Sequence, residues 1–175
     1  TTIAPEVVTV GRRATSSATW GLRHHRYDRS VQEFATTSTI RCNELPPNPA
    51  GFAIGNLDTR NSTNEIVLLS WSMTNLDVYV QRTSPSWSCF GSSNLRESLP
   101  ALVPTSTSAL DASALVIDFG AGDDDIPDLV VAANDASDAP TLFILPGDSH
   151  GGFSDWQSIP LTPECVRPGQ MVEID

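Results

Sequence analysis

Val116-Ile117-Asp118-Phe119-Gly120-Ala121-Gly122-Asp123-Asp124-Asp125-Ile126-Pro127-Asp128-Leu129-Val130-Val131-Ala132-Ala133 places an aspartate-rich loop directly ahead of an apolar run. Leu129 to Ala133 is apolar at every position, the pattern of a strand covered on both faces, and Pro127 stands where a missing backbone donor does little harm. The carboxylates of Asp118, Asp123, Asp124, Asp125 and Asp128 repel one another unless water or a hard cation screens them. Calcium, which takes oxygen ligands, is therefore the first expectation.

Downstream, Leu142-Phe143-Ile144-Leu145 lies between Pro140 and Pro146, and Gly151-Gly152-Phe153 and Trp156 complete the unit. Strands are predicted over 114–118, 128–133, 141–145 and 156–161, joined by turns rich in Gly, Asn and Asp. The layout recurs upstream, with strands predicted over 52–57, 65–71, 76–81 and 95–99. Leu76-Asp77-Val78-Tyr79-Val80-Gln81 alternates as a half-buried strand does, and an insertion over 84–93 carries Trp87, Cys89 and Phe90. A first copy supplies 6–10, 20–24 and 34–40 but lacks its opening strand, for which the C-terminal Val172-Glu173-Ile174-Asp175 is the candidate.

Aligned on the acid before the central strand, Glu6, Glu65 and Asp128 are 59 and 63 residues apart; Asp58, Asp118 and Asp175 are 60 and 57 apart. Such a period, at four strands per unit, predicts an all-β chain of about three four-stranded antiparallel units of the β-propeller blade type. Three blades are too few for a usual ring, so a larger or assembled propeller is expected. The units are a first blade over 1–45, a second over 50–104 and a third over 112–162. Residues 163–175 form a connector and the first strand of a next or closing blade, and Pro-rich stretches at 46–49, 100–104 and 160–168 separate the units.

The 175 residues are 39% hydrophobic and 18% charged, as globular chains are, and no apolar run reaches the roughly 20 residues a membrane helix needs. The Thr1-Thr2 start suggests a processed product or a piece of something larger. A net charge of −11 argues against nucleic acid as a partner. Six Arg and three acids give residues 1–41 a charge of +3, whereas four Arg and eighteen acids give residues 42–175 a charge of −14. Arg12, Arg13, Arg23, Arg26 and Arg29 thus form a candidate basic face for an acidic partner or a neighbouring repeat. Cys42, Cys89 and Cys165 have no metal-ligand spacing; Cys42 and Cys165 occupy equivalent Pro-rich connectors and are the candidates for a bridge, against buried free thiols. Asn61-Ser62-Thr63 is an N-glycosylation acceptor pattern.

The third unit resembles the FG-GAP/VCBS repeat of integrin α-subunit propellers and many secreted proteins, whose blade reads close to Asp-Phe-Asp-Gly-Asp-Gly-x-x-Asp-Leu-Val-Val and later Gly-x-Gly-Gly-Phe. Asp118-Phe119, Gly122-Asp123, Pro127-Asp128-Leu129-Val130-Val131 and Gly151-Gly152-Phe153 carry the resemblance. It implies a structural calcium with Asp118 as first ligand, Asp128 as last and Asp123, Asp124 and Asp125 between. This loop is two residues longer than the family's, and Gly120 replaces a second aspartate. The second loop, with Asp58, Asn61, Asn64 and Glu65, has lost most of its negative charge. Tight turns held by Asx-type hydrogen bonds are the other reading of both loops.

The resemblance further implies a non-enzymatic extracellular, cell-surface or lumenal segment mediating protein–protein interaction or adhesion. No Gly-x-Ser-x-Gly elbow, phosphate loop or zincin motif occurs. His24 and His25 are adjacent on a predicted strand, so their side chains point to opposite faces and cannot serve one centre. A carbohydrate-binding, lectin-like module using an exposed aromatic such as Trp87, and an accessory domain of a secreted hydrolase, are the alternatives.

Overall fold

The computed structural model describes residues 6–12, 20–28, 30–34, 39–42, 45–46, 48–82, 90–101, 112–118 and 125–162. Among them the chain is all-β, with one 3-10 turn at Ser92–Asn94. The strands are β1 (Glu6–Arg12), β2 (Trp20–Asp28), β3 (Glu33–Phe34), β4 (Thr39–Cys42), β5 (Pro49–Gly55), β6 (Glu65–Trp71), β7 (Leu76–Arg82), β8 (Leu95–Leu99), β9 (Ser113–Ile117), β10 (Asp128–Asn134), β11 (Pro140–Leu145) and β12 (Gln157–Pro160).

Strands β5 to β8 pair in sequence order as one antiparallel meander, and β9 to β12 as another; neither closes into a barrel. The N-terminal sheet is centred on β2, with β1 along one edge and β3 and β4 following each other along the opposite one. The predicted strands of the second and third units fall within a few residues of these, whereas the single strand predicted over 34–40 is replaced by the separate β3 and β4, with 35–38 outside the described residues. The main shift is at Pro49, expected in a connector but found opening β5, where a register shift between Pro49 and Gly51 accommodates a residue with no N–H to donate.

Pleating explains how the sheets stack. On β6, Val67, Leu69 and Trp71 point to one face and join Leu129, Val131, Ala133, Phe143 and Leu145 of the third sheet in a single core. The alternate residues, Ile66 and Leu68, join Leu22 of β2 and Phe90 in a second cluster, with Leu45, Phe52 and Tyr79 packed against it. The middle sheet is thus covered on both sides, and β6 is buried at every position. The expected continuous burial of the apolar run also holds for Asp128 to Ala133 of β10. Trp156 closes the core with its ring edge-on to Phe143, centroids 5.7 Å apart.

The second and third sheets meet most closely at their first strands. The Ala112 amide donates to the Ala50 carbonyl at 3.2 Å. A Cβ on Gly51 would stand 2.4 Å from the Ala112 carbonyl oxygen, and one on Gly55 would stand 2.4 Å from Val116 Cγ1. With Ala50 beside Ala112 and Gly55 beside Val116, β5 and β9 run in the same direction. Their outgoing loops, 56–64 and 118–127, therefore leave from the same end of the sheets, joined there by the β11–β12 loop.

Candidate functional site

The shared rim is built around two acids that open the central strands. Glu65 opens β6 and is 1% exposed; its Oε2 accepts the amides of Leu57 at 2.8 Å and Asp58 at 3.1 Å, so it folds the preceding loop back onto the strand. Its Oε1 is buried and has no hydrogen-bond partner among the described residues. Asp128 opens β10, is 7% exposed, and its Oδ1 accepts the amide of Gly147 at 3.0 Å. Gly147 lies so close to the backbone that a Cβ there would be 2.3 Å from the Pro127 carbonyl oxygen. Equivalent acids thus tie down different loops.

The other carboxylate of the second loop is Asp58, 1% exposed and held by two guanidinium groups. Arg60 Nε donates to Oδ1 at 2.8 Å and its Nη2 to Oδ2 at 2.9 Å, a bidentate fork, while the Arg60 amide also donates to Oδ1. Arg82, at the end of β7 and in register with Glu65, donates to Oδ2 as well. The hydrogen bond from Arg60, aided by both positive charges and opposed by burial, holds the Asp58 carboxyl at about 2, below its ordinary 3.8. The same pairing with Asp58 raises Arg60, and the nearby Asp148 adds to the effect. Asp148 belongs to the β11–β12 loop, where its Oδ1 accepts the amides of His150 and Gly152. In that loop Gly151, at φ +78°, lies with its Cβ position 3.7 Å from Asp58 Cβ, so the Gly-Gly-Phe segment packs directly on the second loop.

The second loop does not fit calcium, because guanidinium groups occupy both oxygens of Asp58. The third loop contains no Lys or Arg between Asp118 and Asp128. Asp118 and Asp125 are exposed, with Asp125 at φ +54°, and Asp128 is buried at the strand entrance; Asp123 and Asp124 lie outside the described residues. Among the described residues no group of three or more His, Cys, Asp or Glu could hold a metal.

Elsewhere on the rim, Asn61 Oδ1 accepts the Thr63 amide at 2.9 Å and the Thr63 hydroxyl, an Asx-type turn. His25 Nε2 lies 3.1 Å from Thr9 Oγ1. His150 is exposed and hydrogen-bonded within its own turn, to the Asp148 carbonyl and Ser149 hydroxyl. Of the basic face, Arg23 is exposed. The Cys42–Cys165 pairing, Trp87 and the C-terminal strand candidate fall outside what the structure describes. Sequence reasoning missed Arg60 and Arg82. The available signal was Arg60 two residues after Asp58, at the reach of a side chain that bends back over a turn.

A scan against protein-family models finds no match for this chain, and neither the curated proteins nor the solved structures yield one. No helix among the described residues is long and apolar enough to cross a membrane.

Proposed function

We propose that the chain is a non-enzymatic segment of an FG-GAP-like β-propeller, extracellular or lumenal, whose rim loops engage a protein partner. The observation that carries this reading is the joint between the second and third sheets. Consecutive four-stranded meanders pack face to face, and their first strands converge at Gly51 and Gly55 closely enough to exclude a Cβ. Convergence at the first strand of each unit is what radial packing about an axis requires. In this reading Asp118, Asp123, Asp124, Asp125 and Asp128 hold one structural calcium that stiffens the third blade's share of the rim. Rigid sheets then present loops 56–64, 118–127 and 146–156 as one surface.

Site-specific photo-crosslinking tests the partner claim. A reactive residue at Asp148 is expected to capture a protein from the extracellular fraction of the source, whereas one at Met73, which is exposed on the β6–β7 turn at the opposite end of the sheets, captures none. Equal capture from both ends, or from neither, sinks the reading.

A further inference from the structure

We propose that Asn61 is an N-glycan acceptor site. Asn61-Ser62-Thr63 is the only Asn-x-Ser/Thr triplet in the sequence, and its middle residue is not proline. It lies in the β5–β6 loop, where Arg60, Ser62 and Asn64 are exposed and Asn61 and Thr63 half-buried. The loop backbone is fixed on both sides of the acceptor: the Asn61 amide donates to the Asp58 carbonyl at 3.1 Å, and the Asn61 carbonyl accepts Asn56 Nδ2 at 3.0 Å.

The side chain divides its work. Oδ1 is fully engaged by the Thr63 amide and hydroxyl, while Nδ2 donates to no group among the described residues. A sugar added at Nδ2 therefore costs the fold no hydrogen bond. Hydrogen bonds to Oδ1 draw electron density onto the oxygen and acidify the Nδ2 protons. The donor is a lipid diphosphate-linked oligosaccharide. A bond forms from Nδ2 to its anomeric carbon, the bond from that carbon to the diphosphate oxygen breaks with its electron pair leaving on the diphosphate, and one Nδ2 proton passes to a base of the transferase. The modification adds a bulky hydrophilic group to the rim next to Arg60.

Occurrence of the glycan in the native protein rests on the lumenal reading above, whereas the acceptor chemistry can be tested apart from it. The full chain behind a cleavable secretory leader is translated into microsomes, and protease protection identifies the translocated fraction. The expected result is a protected band retarded by one glycan, collapsed by an amidase that releases N-glycans and leaves aspartate at position 61. Asn61→Gln and Thr63→Ala each abolish the shift, and Thr63→Ser retains it. A protected wild-type chain with no shift, or one still shifted in Asn61→Gln, overturns the proposal. Modification in microsomes combined with an unmodified protein from the native source supports the acceptor site and overturns the lumenal reading instead.

Discussion

Loops 56–64 and 118–127 leave the same end of neighbouring sheets and enter central strands that are buried on both faces, yet their sequences carry different charges. The second loop carries its own cations: Asp58 is enclosed by Arg60 and Arg82, and Glu65 binds two loop amides. The third loop has four aspartates and no basic residue, and the buried Asp128 that follows it accepts the Gly147 amide of a different loop. A buried carboxylate must be paired or hydrogen-bonded wherever it occurs. A guanidinium provides that pairing permanently, and a bound ion provides it only when present.

The largest expected effect belongs to Glu65. Glu65→Ala orphans two buried amides of the preceding loop, at about 1–3 kcal/mol each. The thermal melting midpoint should fall by about 2–4 °C per kcal/mol for a chain of this size. An unchanged midpoint would mean that Glu65 does not hold the second loop onto its strand.

A second effect tests the joint on which both loops stand. Gly51→Ala forces a Cβ against the Ala112 carbonyl oxygen and is expected to cost about 1–3 kcal/mol by overpacking. A neutral result in denaturant titration would mean that the first strands separate without penalty.

The smallest effect belongs to the arginine fork. Arg60 is 53% exposed, so solvent screens its pairing, and Arg60→Ala should destabilise less than Glu65→Ala. It also has a pH signature. Because the folded-state value of Asp58, about 2, lies below its ordinary 3.8, the pairing contributes its full stability above 3.8 and loses it as pH falls towards 2. Melting between these limits should fall more steeply in wild type than in Arg60→Ala; parallel curves would contradict the assignment.

Much of the strand layout was legible because its signals are local. The apolar run after Asp128, the prolines bracketing Leu142 to Leu145 and the alternation from Leu76 to Gln81 each constrain a strand without reference to the rest of the chain. The glycine pair 151–152 was legible as a loop but not in its purpose, since its contact with Asp58 depends on how two sheets stack. The site was legible only in half. Asp58 and Glu65 stood out as acids in a repeat, but whether a carboxylate is solvated, metal-bound or paired depends on neighbours that are distant in sequence. Arg82 reaches Asp58 across 24 residues, through the register of β6 with β7.

The central proposal, that calcium would serve the third loop as the arginine pair serves the second, is tested most directly by melting in calcium and in chelator. Wild type and Asp58→Asn should both be stabilised by calcium, by about 2.7 kcal/mol at a hundredfold excess over the dissociation constant. Asp118→Asn and Asp128→Asn should show no response. A calcium response that is absent from wild type, or that disappears in Asp58→Asn and survives in Asp118→Asn, would contradict the account.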